Sequence, residues 1–163
     1  MKKSFFLLAF LSLVITMPVD LAGQRNVFTG TWKLDRAKTQ ITAQWPVLVK
    51  INIQFRGDTL LTERIYDTGD GQEYPFTEKL SLDNKEYNIF IYDMPRKMKA
   101  SLADQESTIN FESTTTFNGS AGTEDFVSKE TWKVDPATGV MTIGYNNKVS
   151  GGESAGALIF SKE

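Results

Sequence analysis

Polar and apolar residues alternate along much of the chain. Val47, Val49, Ile51, Ile53 and Phe55 interleave with Leu48, Lys50, Asn52, Gln54 and Arg56, so an extended segment there has one apolar face and one mostly polar face. Ile109, Phe111, Ser113, Thr115 and Phe117 alternate with Thr108, Asn110, Glu112, Thr114 and Thr116. Phe126, Ser128, Glu130, Trp132 and Val134 do the same, and Met141, Ile143 and Tyr145 follow, then Leu158 and Phe160. This period of two predicts strands. Weaker strands fit 27–34, 59–66, 74–82, 86–92 and 96–103.

Turn chemistry separates these segments. Arg56-Gly57-Asp58, Thr68-Gly69-Asp70-Gly71, Asp83-Asn84, Asn118-Gly119, Asp135-Pro136-Ala137-Thr138-Gly139 and Gly151-Gly152 all carry the residues that tight turns need. Residues 35–46 form a longer gap that holds at most a short helix. The expected fold is therefore all-β: one antiparallel up-and-down sheet of about 8–10 strands. Such a sheet covers its apolar face and its edges by closing into a barrel.

The N-terminus departs from this pattern. Lys2 and Lys3 precede the uncharged run Phe5 to Met17, which Pro18 and Asp20 end, and Leu21-Ala22-Gly23 leads to Gln24. That order predicts a secretory signal peptide over 1–23, cleaved near Gly23, and a single domain over 24–163. The apolar run is shorter than the ~20 residues a spanning helix needs, so no integral membrane span is expected in the mature protein. The protein is expected in the periplasm or outside the cell.

Composition narrows the chemistry. The 163 residues contain no Cys and no His. Disulfide scaffolds, thiol nucleophiles, Cys- or His-ligated metals and Ser-His-Asp triads are excluded, and no cofactor is expected. A net charge of −2 gives no basic excess for nucleic acid.

Gly30-Thr31-Trp32 on the first strand resembles the Gly-x-Trp signature of lipocalins. The longer stretch from Gly30 to Asp35 with Ala37-Lys38, the ending Leu158 to Glu163, and Glu130-Thr131-Trp132 are similar to small secreted bacterial lipocalin-like (calycin-type) proteins. The resemblance spans most of 27–163. It implies an eight- to ten-stranded barrel that binds a small apolar or amphipathic molecule inside, as a monomer and without catalysis. It also implies that Gly30, Trp32 and Lys162 form a structural group, with the Lys162 cation over the Trp32 indole where first and last strands meet.

Candidate ligand-binding residues follow from the faces they share. Val49, Ile51, Ile53, Phe111, Trp132, Ile143 and Leu158 should line one interior. Glu78 lies between Phe76 and Leu80 on an apolar face, and Glu130 between Ser128 and Trp132 on another. Buried carboxylates must be paired, hydrogen-bonded or protonated. Arg64 is a candidate partner, although both faces of its segment are mixed. Ser113, Thr115 and Tyr145 complete the polar candidates. The same carboxylates could form a satisfied structural ion pair, or, in an enzyme, an acid/base pair. A second class is an interaction barrel with a filled core that acts through its loops. Arg56-Gly57-Asp58 is expected to be a hairpin turn, Asp67 to Glu73 a solvated turn rather than a calcium loop, and Asn118-Gly119-Ser120 a turn rather than a glycosylation site. Met94 to Lys99 forms a local basic patch.

Overall fold

In the computed structural model, residues 27–39, 46–103, 107–119 and 122–163 are described. Residues 1–23, where a signal peptide is expected, residues 40–45 of the 35–46 gap and Ser120 lie outside them. Ten strands run in chain order: β1 (Gly30–Leu34), β2 (Val47–Arg56), β3 (Thr59–Asp67), β4 (Glu73–Ser81), β5 (Tyr87–Ile91), β6 (Met94–Leu102), β7 (Thr108–Gly119), β8 (Gly122–Asp135), β9 (Val140–Val149) and β10 (Gly152–Lys162). They form one antiparallel sheet in the order β4-β3-β2-β1-β10-β9-β8-β7-β6-β5, nearly closed into a barrel. Consecutive strands are neighbours in space except β4 and β5, and the first strand pairs with the last, β1 with β10.

Each hairpin has a local cause. Gly57 sits at φ 58 in the β2–β3 turn and Gly139 at φ 65 in the β8–β9 turn, the left-handed region that glycine adopts without cost. Asp135 accepts hydrogen bonds from the Ala137 N–H (2.9 Å) and the Thr138 hydroxyl (2.8 Å), which shapes the second of these turns. Arg56-Gly57-Asp58 is thus a hairpin connection. In the gap after β1, residues 36–38 form a turn in which Asp35 Oδ1 accepts the Ala37 N–H at 3.1 Å.

Strand direction places the ends of β1, β3, β5, β7 and β9 at one end of the barrel, here called the upper end. The start of β1 and the end of β10 lie at the lower end. In the core Phe28, Trp32, Ile51, Ile53, Leu60, Ile109, Trp132, Met141, Ile143 and Phe160 are all at most 2% exposed, and Leu34, Val47 and Leu48 carry it to the upper ends of β1 and β2. Leu158 packs against this cluster.

One expectation needs correction. Strict alternation puts Leu48 on the outer face. A bulge interrupts the β2–β3 register between Leu48 and Lys50, so Leu48 pairs with Tyr66 and is buried together with Val47, while Val49 is partly buried against the core. The extra residue of a bulge breaks strict alternation at that point.

Where the first and last strands meet, Trp32 is the direct cross-strand partner of Lys162. The Lys162 ammonium lies 5.4 Å from the Trp32 ring centroid, within cation–π range. The indole N–H donates to the Phe28 carbonyl at 2.7 Å. Gly30 lies beneath the Lys162 stem: a Cβ there would come within 2.8 Å of Lys162 Cε. The glycine, the tryptophan and the lysine are therefore one packed unit.

Candidate functional site

Across the middle of the barrel runs a layer of charged side chains. Arg64 on β3 shares the inward face with its register neighbours Ile51 and Phe76. Glu130 on β8 enters from the opposite wall, beside Phe111 and Tyr145. Arg64 Nη1 donates to both Glu130 oxygens, at 2.9 and 3.0 Å. Arg64 Nε stands 2.9 Å from Glu78 Oε2, with the side chains only 3% and 1% exposed. The guanidinium lies 4.9 Å from the Trp132 ring centroid and 5.6 Å from that of Phe111, and the two rings are themselves 4.6 Å apart. Trp132 Nε1 donates to Glu130 Oε2 at 2.7 Å.

A second cation joins from β6. Arg96 Nη2 donates to the Ser113 hydroxyl at 2.9 Å and lies 3.8 Å from Glu78 Oε1. Glu78 thus stands between two guanidiniums, and the four charges cancel.

The electrostatics follow from burial and pairing. Burial alone would raise the Glu130 carboxyl, but Arg64 and the Trp132 N–H outweigh it and hold the group below the usual carboxylate range. Burial also works against the charged form of Arg64, and the two carboxylates overcome this, so it stays protonated. Arg96 is lowered, because burial outweighs what Glu78 and Glu130 return. Burial raises the Tyr66 phenol.

The sequence candidates divide accordingly. Arg64, Glu78, Phe111, Ser113, Glu130 and Trp132 meet in this layer. The carboxylates are tied up as ion pairs. Ile51 and Thr115 are buried beside it in register, Ile51 next to Arg64 and Thr115 next to Arg96. Tyr145 is the register neighbour of Glu130 and lies over Gly156, where an added Cβ would come within 2.6 Å of the phenol oxygen. Arg96 and Tyr66 were missed. The sequence pattern puts Arg96 in the basic patch, yet it falls on the same parity as Met94, Met98 and Ala100. Lys97 and Lys99 take the other parity, so the apparent patch splits between interior and surface.

Above the layer the inward side chains on β4 to β9 are looser. Phe76, Ile89, Met94, Phe117, Phe126 and Tyr145 are only partly buried, and Tyr74 is exposed. Outside the barrel, a groove of about 850 Å³ crosses the outer face of β1–β4. Its walls are tied by the Thr31 hydroxyl donating to Asn52 (2.9 Å) and the Asn52 amide donating to Glu63 (2.6 Å). No family model matches the chain, and no curated protein matches it.

Proposed function

We propose that this protein is an exported, lipocalin-like barrel that binds a small apolar or amphipathic molecule in the upper half of its interior, without catalysis. The supporting observation is the contrast along the inner face. Below the Arg64 layer Ile53, Leu60, Ile109 and Met141 are at most 1% exposed, while above it, on β4, β7, β8 and β9, Phe76, Phe117, Phe126 and Tyr145 keep partial contact with solvent. Apolar walls of this kind contribute most of the affinity for an apolar molecule, and a few polar groups orient it. The charged layer then forms the floor.

A titration of the purified protein with fatty acids, retinoids and isoprenoids, followed by Trp fluorescence, tests the reading, because Trp132 belongs to that floor. Saturable binding that weakens when Phe126 or Tyr145 is replaced by Ala is expected. Silence across the whole panel would transfer the assignment to an interaction barrel acting through its surface. For export, N-terminal sequencing of secreted protein should begin near Gln24, and an intact Met1 would refute that step.

A further inference from the structure

The charged layer carries hydrogen-bond donors that the protein does not use. Among the described residues, five buried atoms of the layer make no hydrogen bond: Arg64 Nε, Arg64 Nη2, Arg96 Nε and both oxygens of Glu78. Arg64 Nε faces Glu78 Oε2 at 2.9 Å and Arg96 Nη2 lies 3.8 Å from Glu78 Oε1, so the carboxylate is held in ion pairs, while Arg64 Nη2 and Arg96 Nε have no acceptor. Both guanidiniums flank the single carboxylate of Glu78, so these donors belong to one small region of the interior. Arg96 and Glu130 are the members of the layer with residual exposure, at 13% and 16% of their side chains.

We propose that the molecule bound in the barrel presents an uncharged hydrogen-bond acceptor, such as a ketone or ester oxygen, to Arg64 and Arg96. This rests on the binding function proposed above and specifies its ligand class. Two physical points select the class. Buried donors without partners are costly, and an acceptor oxygen satisfies them. The layer already balances two arginines against two glutamates. A carboxylate ligand would add a third negative charge beside Glu78 and Glu130, and an ammonium a third positive charge beside two guanidiniums. In a poorly solvated interior either imbalance is expensive, and a neutral dipole avoids both.

The experiment uses the neutral fluorescent reporter N-phenyl-1-naphthylamine and three competitors of equal chain length: a methyl ketone, a carboxylic acid and a primary amine, at neutral pH. The ketone should displace the reporter at a concentration about 10-fold lower than the acid or the amine, the ratio that one well-made hydrogen bond supplies. Arg96→Leu leaves both glutamates paired with Arg64. With each competitor referred to the reporter affinity measured for that same variant, it should reduce the ketone's advantage to less than about threefold. An acid or amine that competes as well as the ketone overturns the ligand class while leaving the binding function standing, as does a ketone advantage that survives Arg96→Leu. Reporter and competitors that all fail to bind overturn the binding function itself, and this inference with it. The wild-type competition decides the class even if Arg96→Leu does not fold.

Discussion

The barrel is closed along two lines by different chemistry. Between β1 and β10 the backbones pair from Trp32–Lys162 to Leu34–Phe160, and Lys162 covers the indole. Between β4 and the β5–β6 hairpin no ladder forms among the described residues. What spans that gap is an isolated bridge from Asp83 to Ser101 with the Asn84 N–H donating to the Ala100 carbonyl at 2.9 Å, the Glu78–Arg96 ion pair at 3.8 Å, and a contact of the Phe76 and Tyr92 rings at 6.3 Å. Tyr92 and Asp93 form the β5–β6 turn at φ 45 and 65, without glycine. A backbone ladder depends on no single side chain. A side-chain closure depends on a few, so local opening should favour the second line. The charged layer lies against that weaker line, which gives its ion pairs a mechanical role as well as a place in the proposed site.

The largest effect should come from removing the cation that ties β3 to both Glu78 on β4 and Glu130 on β8. Arg64→Leu leaves Glu78 and Glu130 buried without their main partner and should cost about 3–5 kcal/mol in urea unfolding. The pH dependence gives the sign. In the wild type Glu130 is lowered, so its contribution is present above the ordinary carboxylate value and is lost as the pH falls through the lowered folded value. In Arg64→Leu burial dominates and the Glu130 carboxyl moves up. Its burial is then best tolerated at low pH and penalised as the pH rises, so the variant should gain stability between pH 7 and 5. No such gain would show that the carboxylates are not buried as described.

Trp32→Ala should cost about 3–5 kcal/mol, because it empties a fully buried site at the paired closure. Amide exchange should then rise throughout the barrel. An effect confined to β1 would contradict the shared core.

Glu78→Gln sharpens the contrast. It keeps the side-chain shape, removes the charge between two guanidiniums, and should cost about 1–3 kcal/mol. Exchange should quicken in β4 and β5 before β1 and β10. Equal acceleration in both regions would mean that the two lines are not different.

The smallest effect is expected for Lys162→Met, about 0.5–1 kcal/mol, since the cation–π contact is exposed while the methionine still covers the ring. A loss as large as that of Trp32→Ala would assign the lysine a role beyond this contact.

Alternation made the strands legible, and strict alternation misled only at the bulge before Lys50, where an added residue leaves no compositional trace. Glu78 and Glu130 were legible as buried carboxylates because each interrupts an apolar face. Their partner was not. On β3 the face of Leu60, Thr62, Arg64 and Tyr66 is no more apolar than the face of Leu61, Glu63, Ile65 and Asp67, so local pattern cannot choose between them.

By itself, then, the sequence determined the local terms: extended segments of period two, the turns between them, a chain free of thiol and imidazole, and inward carboxylates that require compensation. Tertiary structure decided which cation compensates them. Arg64 and Glu130 are 66 residues apart in the chain and come from opposite walls, so their pairing exists only once the sheet has curled. The same closure brings Arg96 on β6 to Glu78 on β4 without any backbone pairing between those strands. Hydrophobic periodicity is a property of neighbouring residues, whereas the balance of buried charge depends on distances that only the closed barrel sets.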